Sequence, residues 1–178
     1  MVGYETIMSS RVLTIAASAA LAAAIAASPA AAAESASAQS RAVVVGPMTL
    51  VNTDALSFGS FGAGASPGTV VINPDTNNRS VTGGVVPLGG DFSAAGFTGY
   101  TSGSTHVKVI VPRTSVALKR VGGTETMAIT GFVVDGGKNQ KFPVNQVFTF
   151  RVGGTLQVQP NQADGVYEGS FVVTAEYQ

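Results

Sequence analysis

The last fourteen residues of this 178-residue chain alternate between two kinds of side chain. From Gly165 to Gln178, the aromatic and most apolar residues fall on odd-numbered positions, and the even-numbered positions are mostly polar. A period of two residues places alternate side chains on opposite faces of a β-strand. The pattern therefore predicts a half-buried terminal strand, whose edge must be covered by its own sheet or by a partner.

The chain between residue 34 and this strand has the same character. Short runs rich in Val, Thr and Gly are separated by turn residues, and no window repeats apolar residues at helical spacing. Gly59–Gly68 is too rich in Gly, Ala and Ser to hold a strand ladder, so we expect a loop there. We read the Gly122-Gly123 and Gly153-Gly154 pairs as turns. The pattern predicts an all-β fold, a β-sandwich of roughly nine strands.

The first 33 residues have the organisation of a secretory signal peptide. Arg11 precedes an Ala-rich apolar run, and Ala31 and Ala33 satisfy the A-x-A pattern of a cleavage site. We expect cleavage after Ala33, with translation starting at Met1 or Met8. The alternative is an uncleaved membrane anchor, but no charged stop-transfer flank follows the run.

Composition limits what residues 34–178 can do. Removing Arg11 and Glu5 of the leader from ten basic and ten acidic residues leaves nine of each, so no basic patch is offered to nucleic acid or anionic lipid. The absence of cysteine excludes disulfides and thiol chemistry. No later apolar stretch approaches membrane-spanning length. We expect a β-sandwich domain at residues 46–178, preceded by an N-terminal extension at residues 34–45.

Catalytic and metal-binding patterns are sparse. His106 is the only histidine, and a Ser-His-Asp site would need Ser104 or Ser115 and Asp135 beside it in space. The alternative is an ordinary polar residue at the start of a strand. One His and scattered carboxylates do not form a zinc ligand set, and the turn around Asp75 lacks the closing acid of a calcium loop. The sequence predicts a protein that is not an enzyme, with no metal and no cofactor.

The terminal strand also carries a resemblance. Counting back from Gln178, Tyr177 is penultimate and Gly165 is fourteenth. A terminal strand with an aromatic residue and a glycine at those places resembles the subunits of chaperone–usher pili. The stretch from Val152 to Tyr177 is similar to the alternate, Mat/Ecp-type fimbrial subunits and to the pilin-like secreted family DUF4402, a domain of unknown function. The lack of cysteines fits the alternate branch, and three further stretches agree: Val43–Leu50, Leu56–Gly59 and Gly68–Ile72.

The resemblance implies an immunoglobulin-like β-sandwich that lacks its final strand. In such pili the open groove is covered first by a periplasmic chaperone and then by the N-terminal extension of a neighbouring subunit, a form of β-strand addition. We expect no further strand after the terminal one, as an incomplete sandwich would have. The resemblance places the subunit and chaperone interface at Gly165, Tyr167, Phe171, Val173 and Tyr177.

The N-terminal extension has the alternation that a donor strand needs. Ala36, Ala38, Ala42 and Val44 share one strand face. Alanines contribute less than the roughly 1.5–3 kcal/mol of a large buried apolar side chain. The alternative for residues 34–45 is a disordered leader.

We therefore expect a structural subunit of a surface fimbria, exported to the periplasm and then to the cell surface. It would polymerise with copies of itself or with neighbouring subunits, with help from a periplasmic chaperone and an outer-membrane usher. The alternative is a secreted, self-complete β-sandwich acting as an adhesin or carbohydrate-binding protein. A third class, a hydrolase built on His106, comes with no indicated substrate.

Overall fold

A computed structural model of the chain describes residues 39, 41, 42, 44, 46–103 and 106–178. The chain divides into two compact units, Met1–Ala42 and Val43–Gln178, and the strands of the described residues all belong to the second. The predicted leader, with Ala36 and Ala38, lies outside the described residues, as do Val43 and Val45. No helix of the length and apolar character needed to cross a bilayer occurs in the described part of the chain.

The described residues contain eleven β-strands and no helix, which confirms the all-β prediction. The strands are β1 (Thr49–Asp54), β2 (Ser57–Ile72), β3 (Arg79–Ser93), β4 (Ala95–Thr101), β5 (His106–Ile110), β6 (Val116–Arg120), β7 (Thr126–Val134), β8 (Asn139–Lys141), β9 (Gln146–Val158), β10 (Tyr167–Glu168) and β11 (Thr174–Tyr177).

Eight strands form one curled antiparallel sheet, and the other three form a small sheet. The large sheet runs β1-β4-β9-β7-β6-β10, and β2 joins it by pairing with both β3 and β9. The small sheet has the order β11-β5-β8. Val109 and Val111, from β5 and the residue that follows it, share one buried core with Ile129, Phe150 and Leu156 of the large sheet. The two sheets are therefore the layers of a β-sandwich, as predicted.

Strand β9 runs through the middle of the large sheet. It pairs with β4 through Gln146–Val152, and with β2 and β7 through later residues. Gly153 and Gly154 lie inside this strand, so the prediction of a turn there was wrong. A side chain at Gly153 would collide with the backbone oxygen of Ile72, which shows that the glycine permits a close approach to β2.

The Gly-rich stretch Gly59–Gly68 is part of a strand, so the predicted loop was also wrong. Strand β2 pairs with β3 over Ser57–Ala63 and again over Gly68–Ile72, with register shifts around Ser60 and a wider break between Ala63 and Gly68. Side chains at Gly68 and Gly83 would collide with backbone oxygens of the opposite strand. The small residues therefore allow two strands to pack closely through a bend, a use of glycine that β-propensity alone misses.

The terminal stretch keeps the predicted alternation but is not one continuous strand. Strand β10 pairs with β6 of the large sheet, and β11 pairs with β5 of the small sheet. Residues 169–173 connect the two strands. From Phe171 onward the odd-numbered side chains are half-buried and the even-numbered ones are exposed. The stretch 165–177, named here the terminal segment, thus passes from one layer of the sandwich to the other.

Candidate functional site

A cavity of about 960 Å³ lies between the terminal segment and the first half of β2. We name it the groove. Part of its apolar lining comes from three neighbouring strands of the large sheet: Val116 and Leu118 of β6, Met127 and Ile129 of β7, and Leu156 of β9. A volume near 1,000 Å³ is at the upper end of small-molecule pockets. The groove therefore has room for an extended segment of chain.

The groove is lined on two sides by strand edges that have no further strand partner among the described residues. Residues 57–63 of β2 pair with β3 alone, because only Gly68–Ile72 of β2 pairs with β9. Strand β10 pairs with β6 alone. Both of these segments line the groove. A strand edge without a neighbour presents a row of backbone N–H and C=O groups, and such rows accept added strands. On β2, the carbonyl oxygens of Phe58 and Ser60 already accept hydrogen bonds from Arg79.

Glycines bring the terminal segment against β6. Gly165 has φ of +145°, and a Cβ there would lie 2.9 Å from Cδ of Arg120. At Gly169 a Cβ would lie 2.8 Å from the backbone oxygen of Ala117. Contacts this short do not occur at real Cβ atoms, so neither position accepts a side chain without movement of its neighbours. The close packing on Arg120 therefore explains why position 165, which the sequence pattern singled out, is a glycine in this chain.

Arg120, which packs under Gly165, is itself held by an ion pair. Its Nε donates to Glu125 Oε2 at 2.7 Å, and its Nη2 donates to Oε1 at 3.0 Å. The hydrogen bond from Arg120 is the largest cause that lowers the pKa of Glu125 to about 2. The same hydrogen bond raises the pKa of Arg120. This bidentate geometry fixes the guanidinium and, with it, the stem on which the terminal segment rests.

Tyr167 and Phe171 line the groove and also fasten the terminal segment to the domain. The Tyr167 hydroxyl donates to the carbonyl oxygen of Ala163 at 2.7 Å and accepts from Nε2 of Gln162 at 2.8 Å. The ring of Phe171 tilts against Phe132 with centroids 4.9 Å apart. Both side chains are half-buried. Tyr167 and Phe171 therefore line the groove and also attach the terminal segment to the rest of the domain.

Val173 and Tyr177, the other two residues predicted at the interface, do not line the groove. Val173 packs against the common core. Tyr177 pairs with Val107 on β5, and its hydroxyl accepts from the backbone N–H of Ser102 at 3.1 Å. The structure therefore brings three of the five predicted interface residues together at the groove, and places Val173 against the core and Tyr177 in the small sheet.

The predicted donor residues are only partly described. Ala42 is exposed, and Val44 is 96% exposed in the non-strand stretch before β1. A large apolar side chain at that exposure is in contact with little of its own domain.

The catalytic and calcium positions considered from the sequence have ordinary roles where they are described. His106 begins β5 with an exposed side chain, and Ser104 lies outside the described residues. Asp135 accepts the backbone N–H of Arg151 at 2.8 Å. The side-chain oxygen of Asn73 accepts hydrogen bonds from the N–H groups of Asp75 and Thr76, which is an Asx-turn. No group of three metal-ligating side chains was found among the described residues.

Sequence reasoning missed the apolar lining of the groove and one further residue, Arg79. The apolar alternation in β6 and β7 was visible, but whether those faces meet a groove depends on long-range pairing. In β7 the buried face also switches from Met127 and Ile129 to Phe132 and Val134. The switch occurs at a register break around Gly131, which has φ of +57°.

Comparison with known proteins gives one match. The family described as Domain of unknown function (DUF4402) matches residues 48–177, which include every strand of the fold and the whole groove lining. Neither a search of curated proteins nor a search of solved structures found a match. Because the match covers well over half of the sequence, the chain belongs to the DUF4402 family.

Proposed function

We propose that this protein is a structural subunit of a surface fimbria, and that its groove accepts an extended segment from a neighbouring copy. The observation that carries the proposal is the groove between two strand edges without partners, above an apolar lining. Backbone groups along the edges, other than the two carbonyls bonded to Arg79, supply hydrogen bonds for an added strand, and the apolar side chains supply contacts for alternate residues. The role is structural and not enzymatic.

The occupant of the groove is the extension at residues 34–45 of a second copy. Twelve residues in an extended conformation span about 40 Å. A domain of this size has a radius of gyration of about 14 Å, so the extension can reach beyond its own domain. Its alternate positions are Ala36, Ala38, Ala42 and Val44, and the last of these is exposed in this chain. Without a large plug in the alanine part, binding depends mainly on the backbone hydrogen bonds.

The proposal also explains the need for partners during export. An open groove with two strand edges is prone to wrong pairing and aggregation until it is covered. We propose a periplasmic chaperone that covers it after the leader directs export, and an outer-membrane usher at which the neighbouring extension replaces the chaperone. The mature subunit is then part of a polymer at the cell surface.

The test is removal of residues 34–44 from the exported protein. Native material is heated briefly in SDS and separated by electrophoresis. We expect a ladder of oligomers from the wild type, because each subunit covers its neighbour's groove, and chaperone-bound monomer from the deletion. A full-length chain that carries Ser35→Thr and Ser37→Thr, on the polar face of the extension, serves as the control and should leave the ladder intact.

Two results would count against the proposal. An undiminished ladder from the deleted chain would reject residues 34–44 as the donor. A wild-type protein that runs only as a monomer would reject polymerisation and would favour a self-complete secreted β-sandwich.

A further inference from the structure

We propose that Arg79 is the positioning residue that holds one wall of the groove in place. The wall is the two-stranded ribbon formed by residues 57–63 of β2 and residues 85–93 of β3, and we name it the ribbon. The importance of this wall for a bound strand rests on the proposed function, whereas the hold of Arg79 on the ribbon does not.

The hairpin of β2 and β3 folds back on itself. Arg79 pairs with Ile72 at the turn end of the hairpin, and Gly89 lies ten residues farther along the same strand. In a straight strand those ten residues would span about 33 Å. Yet Nη1 of Arg79 lies 3.2 Å from the carbonyl oxygen of Gly89. The bend lies at the register break after Ala63, where the glycines of both strands pack closely.

Arg79 joins both strands of the ribbon at the closed side of this bend. Besides Gly89, its Nη1 donates to the carbonyl oxygens of Phe58 at 3.0 Å and Ser60 at 3.1 Å. The guanidinium also lies over the ring of Phe92, 4.9 Å from its centroid. Hydrogen bonds from a charged donor are stronger than neutral ones, and a cation over a ring adds to them. One side chain thus contacts four residues of the ribbon.

The ribbon backbone is shaped to meet this side chain. Gly59, Gly89 and Gly90 have φ of +70°, +99° and +76°. The pairing of β2 with β3 is irregular on both sides of Ser60, between Phe58 and Phe61. Such irregularities take backbone groups out of the regular ladder. Two of the three accepting carbonyls, those of Ser60 and Gly89, belong to this irregular region.

Besides Arg79, the ribbon is held by the core, in which Phe58 and Val85 are buried and against which Phe61 packs. Among the described strands, its β2 part lacks the second strand partner that β2 has farther along. Residues 57–63 pair with β3 alone, so β9 does not hold them as it holds Gly68–Ile72. Residues from both strands of the ribbon line the groove, among them Phe58, Phe61 and Gly90. Releasing Arg79 should therefore loosen the exposed part of this wall, around Ser60, Gly89 and Gly90. A wall fixed in advance lowers the ordering cost of binding, so the occupant binds faster and more tightly.

The experiment compares hydrogen exchange and polymer formation in the exported wild type and in Arg79→Met. Methionine keeps an apolar stem but removes every donor. We expect the amides of the ribbon to exchange at least about tenfold faster, with β7 and β9 unchanged. We also expect the SDS ladder to form more slowly and to dissociate at a lower temperature. Arg113→Met, at an exposed arginine outside the groove lining, is the matched control.

Two further variants should have smaller effects on ribbon exchange and on polymer formation than Arg79→Met. Arg79→Lys keeps the charge and the donors but not the planar fork, so it should fall between the wild type and Arg79→Met. Phe92→Leu removes the ring and leaves the three hydrogen bonds, so it should have the smallest effect.

The outcomes separate the two proposals. Equal acceleration of hydrogen exchange throughout the domain would make Arg79 an ordinary stabilising residue and would overturn the inference. Unchanged hydrogen exchange in the ribbon of Arg79→Met would also overturn it. A loosened ribbon with unaltered polymer formation would overturn its positioning role at the groove. A wild type without a ladder would contradict the proposed function alone, and the exchange comparison would still decide whether Arg79 holds the ribbon.

Discussion

The two walls of the groove are held in place in different ways. The terminal segment is fastened by tight glycine packing on Arg120, by the hydroxyl of Tyr167, by the Phe171 ring and by strand β11. The ribbon is anchored in the core by Phe58 and Val85, and its exposed part around Ser60 and Gly89 is held by Arg79. Losing one contact should therefore weaken the first wall in proportion to that contact, whereas losing Arg79 should loosen the exposed part of the second wall. We infer that the groove has one side fixed along its length and one side whose exposed part is adjustable.

The largest loss of stability is expected from a substitution at Gly165. Gly165→Val combines backbone strain at positive φ with a collision against Arg120, so we expect the free energy of unfolding to fall by about 2–4 kcal/mol. Urea denaturation measures it. Gly122→Ala is the control, because Gly122 has φ of +73° and open space around its Cβ position, and it should cost about 1 kcal/mol. Equal losses at the two sites would contradict the tight packing of the terminal segment on Arg120.

The next largest loss of stability is expected from a substitution at Phe171. Phe171→Ala removes the ring contact with Phe132, and we expect a loss of about 2–3 kcal/mol in urea denaturation, below the range for a fully buried phenylalanine. Val172→Ala, at a neighbouring side chain that is 77% exposed, should change stability by less than about 0.5 kcal/mol. If the two variants were equally stable, Phe171 would not be part of the hold on this wall.

Tyr167→Phe should have a smaller effect. It deletes the hydroxyl that bonds Ala163 and Gln162 and keeps the ring, so we expect a loss of about 1 kcal/mol. Hydrogen exchange should quicken at residues 162–168 and leave the ribbon unchanged. Quicker exchange in the ribbon would show that the two walls are coupled, which their separate contacts do not predict.

The smallest expected effect is on the pH dependence of stability, through the ion pair of Arg120 and Glu125. The pKa of Glu125 is lowered to about 2 from an ordinary 4.5, so the ion pair stabilises the fold above about pH 4.5. That stabilisation is lost as the pH falls from 4.5 toward 2. Because both side chains are partly exposed, the loss should be small. Urea midpoints of the wild type should fall over this range more than those of Glu125→Gln. Glu168→Gln is the control, and an identical pH profile for all three would contradict the prediction.

Part of this architecture could be read from the sequence. The alternation of the terminal residues predicted which side chains are half-buried, because it depends only on strand geometry. The spacing of Gly165 singled out a position that the fold does require to be glycine. The glycine stretch in β2 was misread because low β-propensity hides a close approach of two strands. Arg79 could not be found from the sequence, because its partners meet it only after the hairpin bends.

Covalent trapping tests the central claim, that the groove takes a segment of a second copy, most directly. The chain has no cysteine, so Val44→Cys can be combined with Ser170→Cys, a groove-lining position, and oxidised during assembly. A disulfide that joins position 44 of two copies can give only dimers, whereas one that joins position 44 to position 170 of the next copy gives a ladder. We predict a reducible ladder beyond the dimer from this pair, and none from Val44→Cys with Ser80→Cys, an exposed position outside the groove lining. Dimers alone from both pairs, or equal ladders from both, would contradict the claim.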